Sequence, residues 1–389
     1  MTSNILYNDT EFIKYQLNHY FKNYNTSNNF SYIDAVNDYI SHANIAKNFN
    51  FIWIEIIYNN SIDIYFIEGT NIKNIMSNKA TLLEYYNSEI IKDQTKLICS
   101  SINKFPFFII RSGWDVHFIN IDQPCLLRTS RRSANDYGVL IPDSSTQKLK
   151  ILYNLKKEFS NIIFREKNNQ LVWRGTFTGL FSEENSKYLE FKLNDNSTKK
   201  YKYYSRSHFV NNFYNKYDVK FYITNTECME TREMTIPKEA SNTSFLDTRS
   251  MAKNYKFQIA LNGNSFAGSF GWNLLSNSVV FHPNYEDNFY TYINPRKNVD
   301  YITINNNYDD LDSKMKYYTE NTDEAETIAK NGKKYIEQLL KLSPILTKKT
   351  MNKIHSLYKQ DTLNEAVNLM NQKLTKTSVK LKNNNFIII

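Results

Sequence analysis

The stretch Tyr255–Pro283, YKFQIALNGNSFAGSFGWNLLSNSVVFHP, constrains the fold more than any other part of the chain. An apolar run, Phe257–Leu261, enters a cluster of small residues: Gly263, Ser265, Ala267, Gly268, Ser269 and Gly271. A short segment with an apolar face follows (Phe270, Leu274, Leu275), then a second apolar run, Val279–Phe281. Physically, this pattern is strand, tight turn, helix N-terminus, strand. Three of the nine glycines in 389 residues fall in this loop. A chain so sparing of glycine places it where the backbone must come close to something. Small residues opening a helix after a strand make a seat for an anion, since free N–H groups and the helix dipole both favour negative charge. The pattern is not GxGxxG, so a tight crossover without a ligand is the alternative reading.

Strand and helix signals alternate along the rest of the chain, which argues for α/β layers with parallel sheets. Phe51–Ile57 and Ile62–Ile67, joined at Asn59-Asn60, read as a hairpin. Phe105–Ile110, Leu171–Trp173 and Val219–Ile223 read as strands, Lys148–Phe159 and Ser205–Tyr214 as helices, and Asn194–Lys202 as an exposed loop. In Asp323–Leu342, Ile328, Gly332, Tyr335, Ile336, Leu339 and Leu340 form one stripe. Asn321 with Glu324 predicts a capping box, and Pro344 a stop. Thr347–Leu374 reads as helical again.

The chain is long enough for two domains with their own cores, and 41% hydrophobic residues fit a globular protein. Met1–Phe12 is polar, with no apolar leader, and no run reaches the length that spans a bilayer. Cys99, Cys125 and Cys228 are odd in number and widely spaced. They suit a reducing compartment, and the expectation is a cytoplasmic protein. A formal net charge of +9 is spread along the chain, apart from Arg128, Arg131, Arg132 and a basic tail, Lys373–Lys382. No nucleic-acid module appears, so a nucleic-acid partner is not expected, whereas weak contact of the tail with a membrane surface is.

Motifs in a fixed order give these elements a resemblance. Phe107–Asp115 (FFIIRSGWD), Leu126–Pro142, Val172–Gly179 (VWRGTFTG), Tyr255–Phe281 and Val299–Ile304 (VDYITI), followed by Asp310–Leu311 and the helix Asp323–Leu342, together resemble glycosyltransferase family 90. That family includes bacterial lipopolysaccharide glycosyltransferases and protein O-glucosyltransferases. The resemblance covers roughly residues 104–342. It implies a GT-B-like α/β fold, two Rossmann-like domains facing across a cleft. The expected division is an acceptor-side domain over residues 1–203, a nucleotide-sugar domain over 204–345, and a C-terminal helix with basic tail over 346–389. It also implies an inverting enzyme without metal or cofactor. The donor would be a nucleotide sugar, UDP-glucose or UDP-xylose, and the acceptor a glycan, lipid-linked or protein hydroxyl.

Such a transfer needs a base for the acceptor proton and donors for the leaving diphosphate. Asp115, in a glycine-containing loop after a buried strand and matching the family's catalytic aspartate, is the base candidate, with a turn cap as its alternative and His117 as the substitute. Arg174 has a planar fork suited to diphosphate oxygens, and its alternative is a salt bridge between the two halves. Gly175, Thr176, Arg206, Gly263, Asn264, Ala267, Gly268, Ser269 and Ser278 complete the expected donor site. Two departures from the family pattern stand out. Ser269 occupies the place of an arginine on the glycine-loop helix, leaving Arg174, Arg206 or Lys256 to compensate, and Asp300 replaces a histidine. A binding-only descendant of the fold is therefore a rival reading, and a basic nucleic-acid or membrane-surface protein a weaker one. Asp310-Leu311-Asp312 imitates a metal-binding DxD but reads as a helix start, where acidic residues suit the dipole.

Overall fold

The computed structural model describes residues 8–22, 24, 29–45, 52–58, 61–67, 79–87, 106–112, 124, 126–128, 130–131, 139–140, 148–176, 188–192, 198–202, 206–222, 240–242, 246–263, 266–284, 290–383 and 385–389. Ile151–Phe289 and Pro295–Leu340 form one compact unit; Ile5–Lys150, Tyr290–Asn294 and Lys341–Ile389 form another. The expected boundary after residue 203 falls inside the first unit.

That unit is built on six strands: β1 (Asn168–Gly175), β2 (Asp218–Tyr222), β3 (Ser241–Asn242), β4 (Tyr255–Ile259), β5 (Val279–Pro283) and β6 (Ile302–Ile304). All neighbouring pairs are parallel, in the order β3-β2-β1-β4-β5-β6. This is the doubly wound order of dinucleotide-binding sheets. The chain leaves β1 toward β2 and β3, then returns on the other side of β1 as β4. Strand direction of travel therefore reverses between β1 and β4, and that crevice, at the carboxyl ends of the strands, is where such sheets take ligands.

The sheet forms because its strands alternate. Leu171 and Trp173, Val219 and Phe221, Phe257 and Ile259, Val279 and Phe281, and Ile302 and Ile304 all turn to one face and are buried there. Three helices cover that face: α2 (Arg206–Phe213) through Phe209 and Val210, α5 (Leu311–Glu320) through Leu311 and Met315, and α6 (Thr322–Ser356) through Ala325, Ile328 and Ala329. Each of the larger aliphatic and phenylalanine side chains among these contributes about 1.5–3 kcal/mol by burial. The opposite face carries buried polar residues, Gln258 among them, beside α3 (Thr248–Asn254) and α4 (Phe270–Leu275). The helix before β1, α1, is Lys148–Glu158.

Three local expectations are corrected. Residues 198–202 are a strand, antiparallel to Tyr188–Lys192, rather than a loop. No capping box forms at Asn321: its amide donates to Tyr317 O at 2.9 Å, while Glu324 accepts the Tyr317 hydroxyl at 2.9 Å. Pro344 lies inside α6 instead of ending it. A proline has no N–H for the carbonyl four residues back, which here is Leu340 O. The Tyr153 hydroxyl of α1 donates to that carbonyl at 2.5 Å. Further up α6, Gly332 lets the helix close on the sheet, since a Cβ there would sit 2.6 Å from Asp300 O.

In the second unit a seven-stranded sheet runs in the order Asn385–Ile388, Thr375–Lys382, Ser61–Phe66, Ile52–Tyr58, Phe107–Ser112, Leu126–Arg128, Val139–Leu140. The expected hairpin is present, with Tyr58 opposite Ser61. Pairing is antiparallel as far as Phe107–Ser112 and parallel beyond it. The stretch read as a basic tail is thus a sheet strand, and its Lys376 pairs with Asp63 at 2.9 Å. Glu55 is fully buried and accepts from Trp53 Nε1 and the Tyr86 hydroxyl, each at 2.7 Å. Among the described residues no helix is long and apolar enough to cross a membrane.

Candidate active site

The crevice between β1 and β4 is held together by one arginine. Arg206, the first residue of α2, donates from Nη1 to Thr176 O and from Nη2 to Leu261 O, both at 3.0 Å. Thr176 follows β1 and Leu261 follows β4, so the guanidinium bridges the carboxyl ends of the two strands where the order reverses. Its carbon lies 5.7 Å from the Trp173 ring, a cation–π platform that fixes its plane. Trp173 in turn explains Gly175: a Cβ at that position would sit 2.4 Å from the indole ring, too close for any side chain. Trp-Arg-Gly-Thr is therefore a device for placing Arg206, in which the tryptophan supports, the glycine makes room, and the threonine carbonyl anchors.

The small-residue loop leaves β4 at the same edge. Asn262 closes it, its Oδ1 accepting the Ala267 N–H at 2.9 Å, so that one expected anion donor is committed to the loop itself. Ala267 is buried and Gly268 exposed. Ser269 precedes α4 and makes no side-chain cap. Asn264 lies outside the described residues, as does Asp115. His282, near the end of β5, donates from Nδ1 to Ala260 O at 2.8 Å and packs against Phe266 and Phe270. Burial pulls its pKa down to about 4, so it is a neutral imidazole at physiological pH.

The other arginine expected at the donor turns away. Arg174 folds back along its strand and donates at 2.6 Å to both the carbonyl and the carboxylate of Asp218, which is level with Val172. The Tyr255 hydroxyl donates to the same carboxylate; burial, and then that bond, push its pKa up to about 12. The ion pair joins adjacent strands of one sheet, not two halves of the molecule. Ser278 and Lys256 lie at the amino edge, opposite the glycine loop. Ser278 is buried, donates to Tyr255 O at 2.9 Å and accepts from Lys167 at 2.8 Å. Lys256 donates to Asn169 Oδ1 at 2.7 Å. The Lys167 ammonium also reaches Ser276 O and Asn277 O at 2.8 Å, capping the C-terminus of α4.

The remaining motif residues are structural. Asp300 is buried and grips Arg296, with its Oδ1 at 2.7 Å from Nη2. Asp310 precedes α5 and pairs with Lys314, while Asp312 takes Lys216 and the Tyr217 hydroxyl. The two carboxylates therefore serve different partners, and no cluster of three ligating side chains exists among the described residues.

A family model described as glycosyl transferase family 90 matches residues 150–376, more than half of the chain. The chain belongs to glycosyltransferase family 90. Its activity is that of a glycosyltransferase, taking a sugar from a donor to an acceptor. The family match spans the whole six-stranded unit from Ile151 on, with the crevice and the glycine loop inside it. Asp115 lies upstream of it. Comparison with curated proteins finds no match for this family member.

What sequence reading missed in this crevice is the support for Arg206. Trp173, Thr176 and Leu261 carry it, and they are legible only as parts of motifs, because two of the three act through backbone carbonyls.

Proposed function

We propose that the enzyme transfers glucose or xylose from its UDP-sugar to a hydroxyl of a glycan, lipopolysaccharide or protein, with inversion and without a metal ion or other cofactor. The observation that carries this reading is Arg206, a fixed cation at the strand-order reversal of a doubly wound sheet, beside a loop of small residues. As the bond between the anomeric carbon and the diphosphate oxygen breaks, negative charge grows on the leaving UDP. A preorganised guanidinium stabilises that charge at no reorganisation cost. Gly263 and Gly268 let the backbone approach the phosphates without a Cβ in between. Asp115 takes the acceptor hydroxyl proton as the new bond forms on the opposite side of the sugar. The three widely spaced cysteines support a reducing, cytoplasmic setting.

Two measurements test this. Calorimetric titration with UDP, UDP-glucose and UDP-xylose should show binding that Arg206→Ala weakens about a hundredfold. Asp115→Asn should keep donor affinity and lower turnover by about two to four orders of magnitude. Binding without turnover on any acceptor would favour the binding-only relative. Near-normal turnover of Asp115→Asn would move the base elsewhere.

A further inference from the structure

We propose that the second unit carries a seat for the headgroup of an anionic membrane lipid, in a groove between the helix Asp9–Tyr20 and the C-terminal half of α6. The cavity there measures about 300 Å³. Ile13 and Leu17 form its floor, and Lys14, Lys349 and Lys353 stand around it. The two helices run side by side in the same direction. Asp9 pairs with Lys341 at 2.6 Å at one end, and Lys353 lies 4.3 Å from the Phe21 ring centroid at the other. The first helix is pinned independently, since His19 and the Tyr20 hydroxyl bond Thr291 O and Tyr292 O at 2.7 and 3.2 Å. The groove is therefore preformed.

Its charge is one-sided. No carboxylate lines it, and among the described residues none of the three lysines makes an ion pair. Partial burial holds the Lys353 ammonium below its usual pKa, a penalty that a neighbouring anion removes. Three point charges around an apolar floor match a phosphodiester with its first methylenes: the ammoniums take the phosphate oxygens, and Ile13 and Leu17 take the chain. A free phosphate would gain nothing from that floor. The basic strand Lys373–Lys382 offers no such pairing of charge with an apolar cavity.

The test is co-sedimentation of the full-length protein with vesicles of phosphatidylcholine alone and of an equal mixture with phosphatidylglycerol. Binding is expected only to the mixture. Each lysine near an anionic surface is worth about fivefold, so Lys14→Gln with Lys349→Gln and Lys353→Gln should lower binding about a hundredfold. Removing the same charge elsewhere, with Lys373→Gln, Lys380→Gln and Lys382→Gln, should lower it far less. Ile13→Ser should weaken binding without altering net charge. If the triple variant fails to fold, Lys349→Gln alone, on the exposed side of α6, should still lose about fivefold. Three results would overturn the proposal: no binding by the wild type, equal losses from the two triple variants, or complete competition by inorganic phosphate at constant ionic strength.

Discussion

The two edges of the six-stranded sheet use the same chemical groups to opposite ends. At the amino edge a cation is consumed by construction: Lys167 meets three acceptors at 2.8 Å and caps α4. At the carboxyl edge Arg206 holds two strand ends while remaining part of a crevice lined by small residues. Arg174 stands between, rooted at the carboxyl end of β1 but turned back to Asp218. The lesson is that a basic residue near a glycine loop in sequence is a ligand for phosphate only if its side chain reaches the edge where the strand order reverses. Sequence position alone places the Cα, and side-chain direction decides the role.

The sharpest way to break this comparison is to delete each arginine in turn. Arg174→Met should take the charged partner from Asp218, leaving it the Tyr255 hydroxyl in a largely buried site, and cost about 3 kcal/mol of stability, read as a shifted urea midpoint. Donor affinity of the folded fraction should stay within about threefold. Arg206→Ala should do the reverse, losing about a hundredfold in UDP affinity, about 2.7 kcal/mol, with a smaller loss of stability. If Arg174→Met alone abolished donor binding, the division between the edges would be wrong.

A second test uses protons. His282 is neutral in the folded protein because its pKa of about 4 lies below the ordinary 6.5. Between those values the unfolded chain binds the extra proton, so stability is present above about pH 6.5 and is lost as pH falls toward 4, by at most about 3 kcal/mol. His282→Gln should remove that share of the acid slope, measured as the difference between urea midpoints at neutral and mildly acidic pH. An unchanged slope would mean that the imidazole is hydrated. The smallest effect expected is that of Tyr153→Phe, about 1 kcal/mol, because it removes the hydroxyl's hydrogen bond to Leu340 O, the carbonyl four residues before Pro344. No effect would mean that water replaces the hydroxyl.

Much of the first unit was readable from residues. The Tyr255–Pro283 pattern gave two strands, a loop and a short helix because apolar period and glycine placement agree there. The hairpin at Tyr58 and Ser61 was equally plain. Pro344 misled because proline's missing donor was weighed without the distant Tyr153 that satisfies the carbonyl. Residues 198–202 misled because a polar two-stranded hairpin lacks the apolar alternation that marks a strand. Arg206 and the glycine loop were singled out from the sequence, and the structure places them at one edge of the sheet, Arg206 bonding Leu261 O just before the loop. Arg174, Lys256 and Ser278 were assigned to the wrong surroundings, since nothing in local spacing reveals Asp218, Asn169 or Lys167 as their partners.

The closing strands of the second unit have a consequence for synthesis. Ser378 donates to Asp63 across 315 residues of sequence, and Thr375–Lys382 fills the side of Ser61–Phe66 that Ile52–Tyr58 leaves open. While the chain is being made, Ser61–Phe66 must wait with one row of amides unpaired until nearly everything after it has left the ribosome. The six-stranded unit has no such debt to later residues: its last segment ends at Leu340. The nascent chain is thus set to finish its six-stranded unit first, and the earliest-born sheet is the last to close.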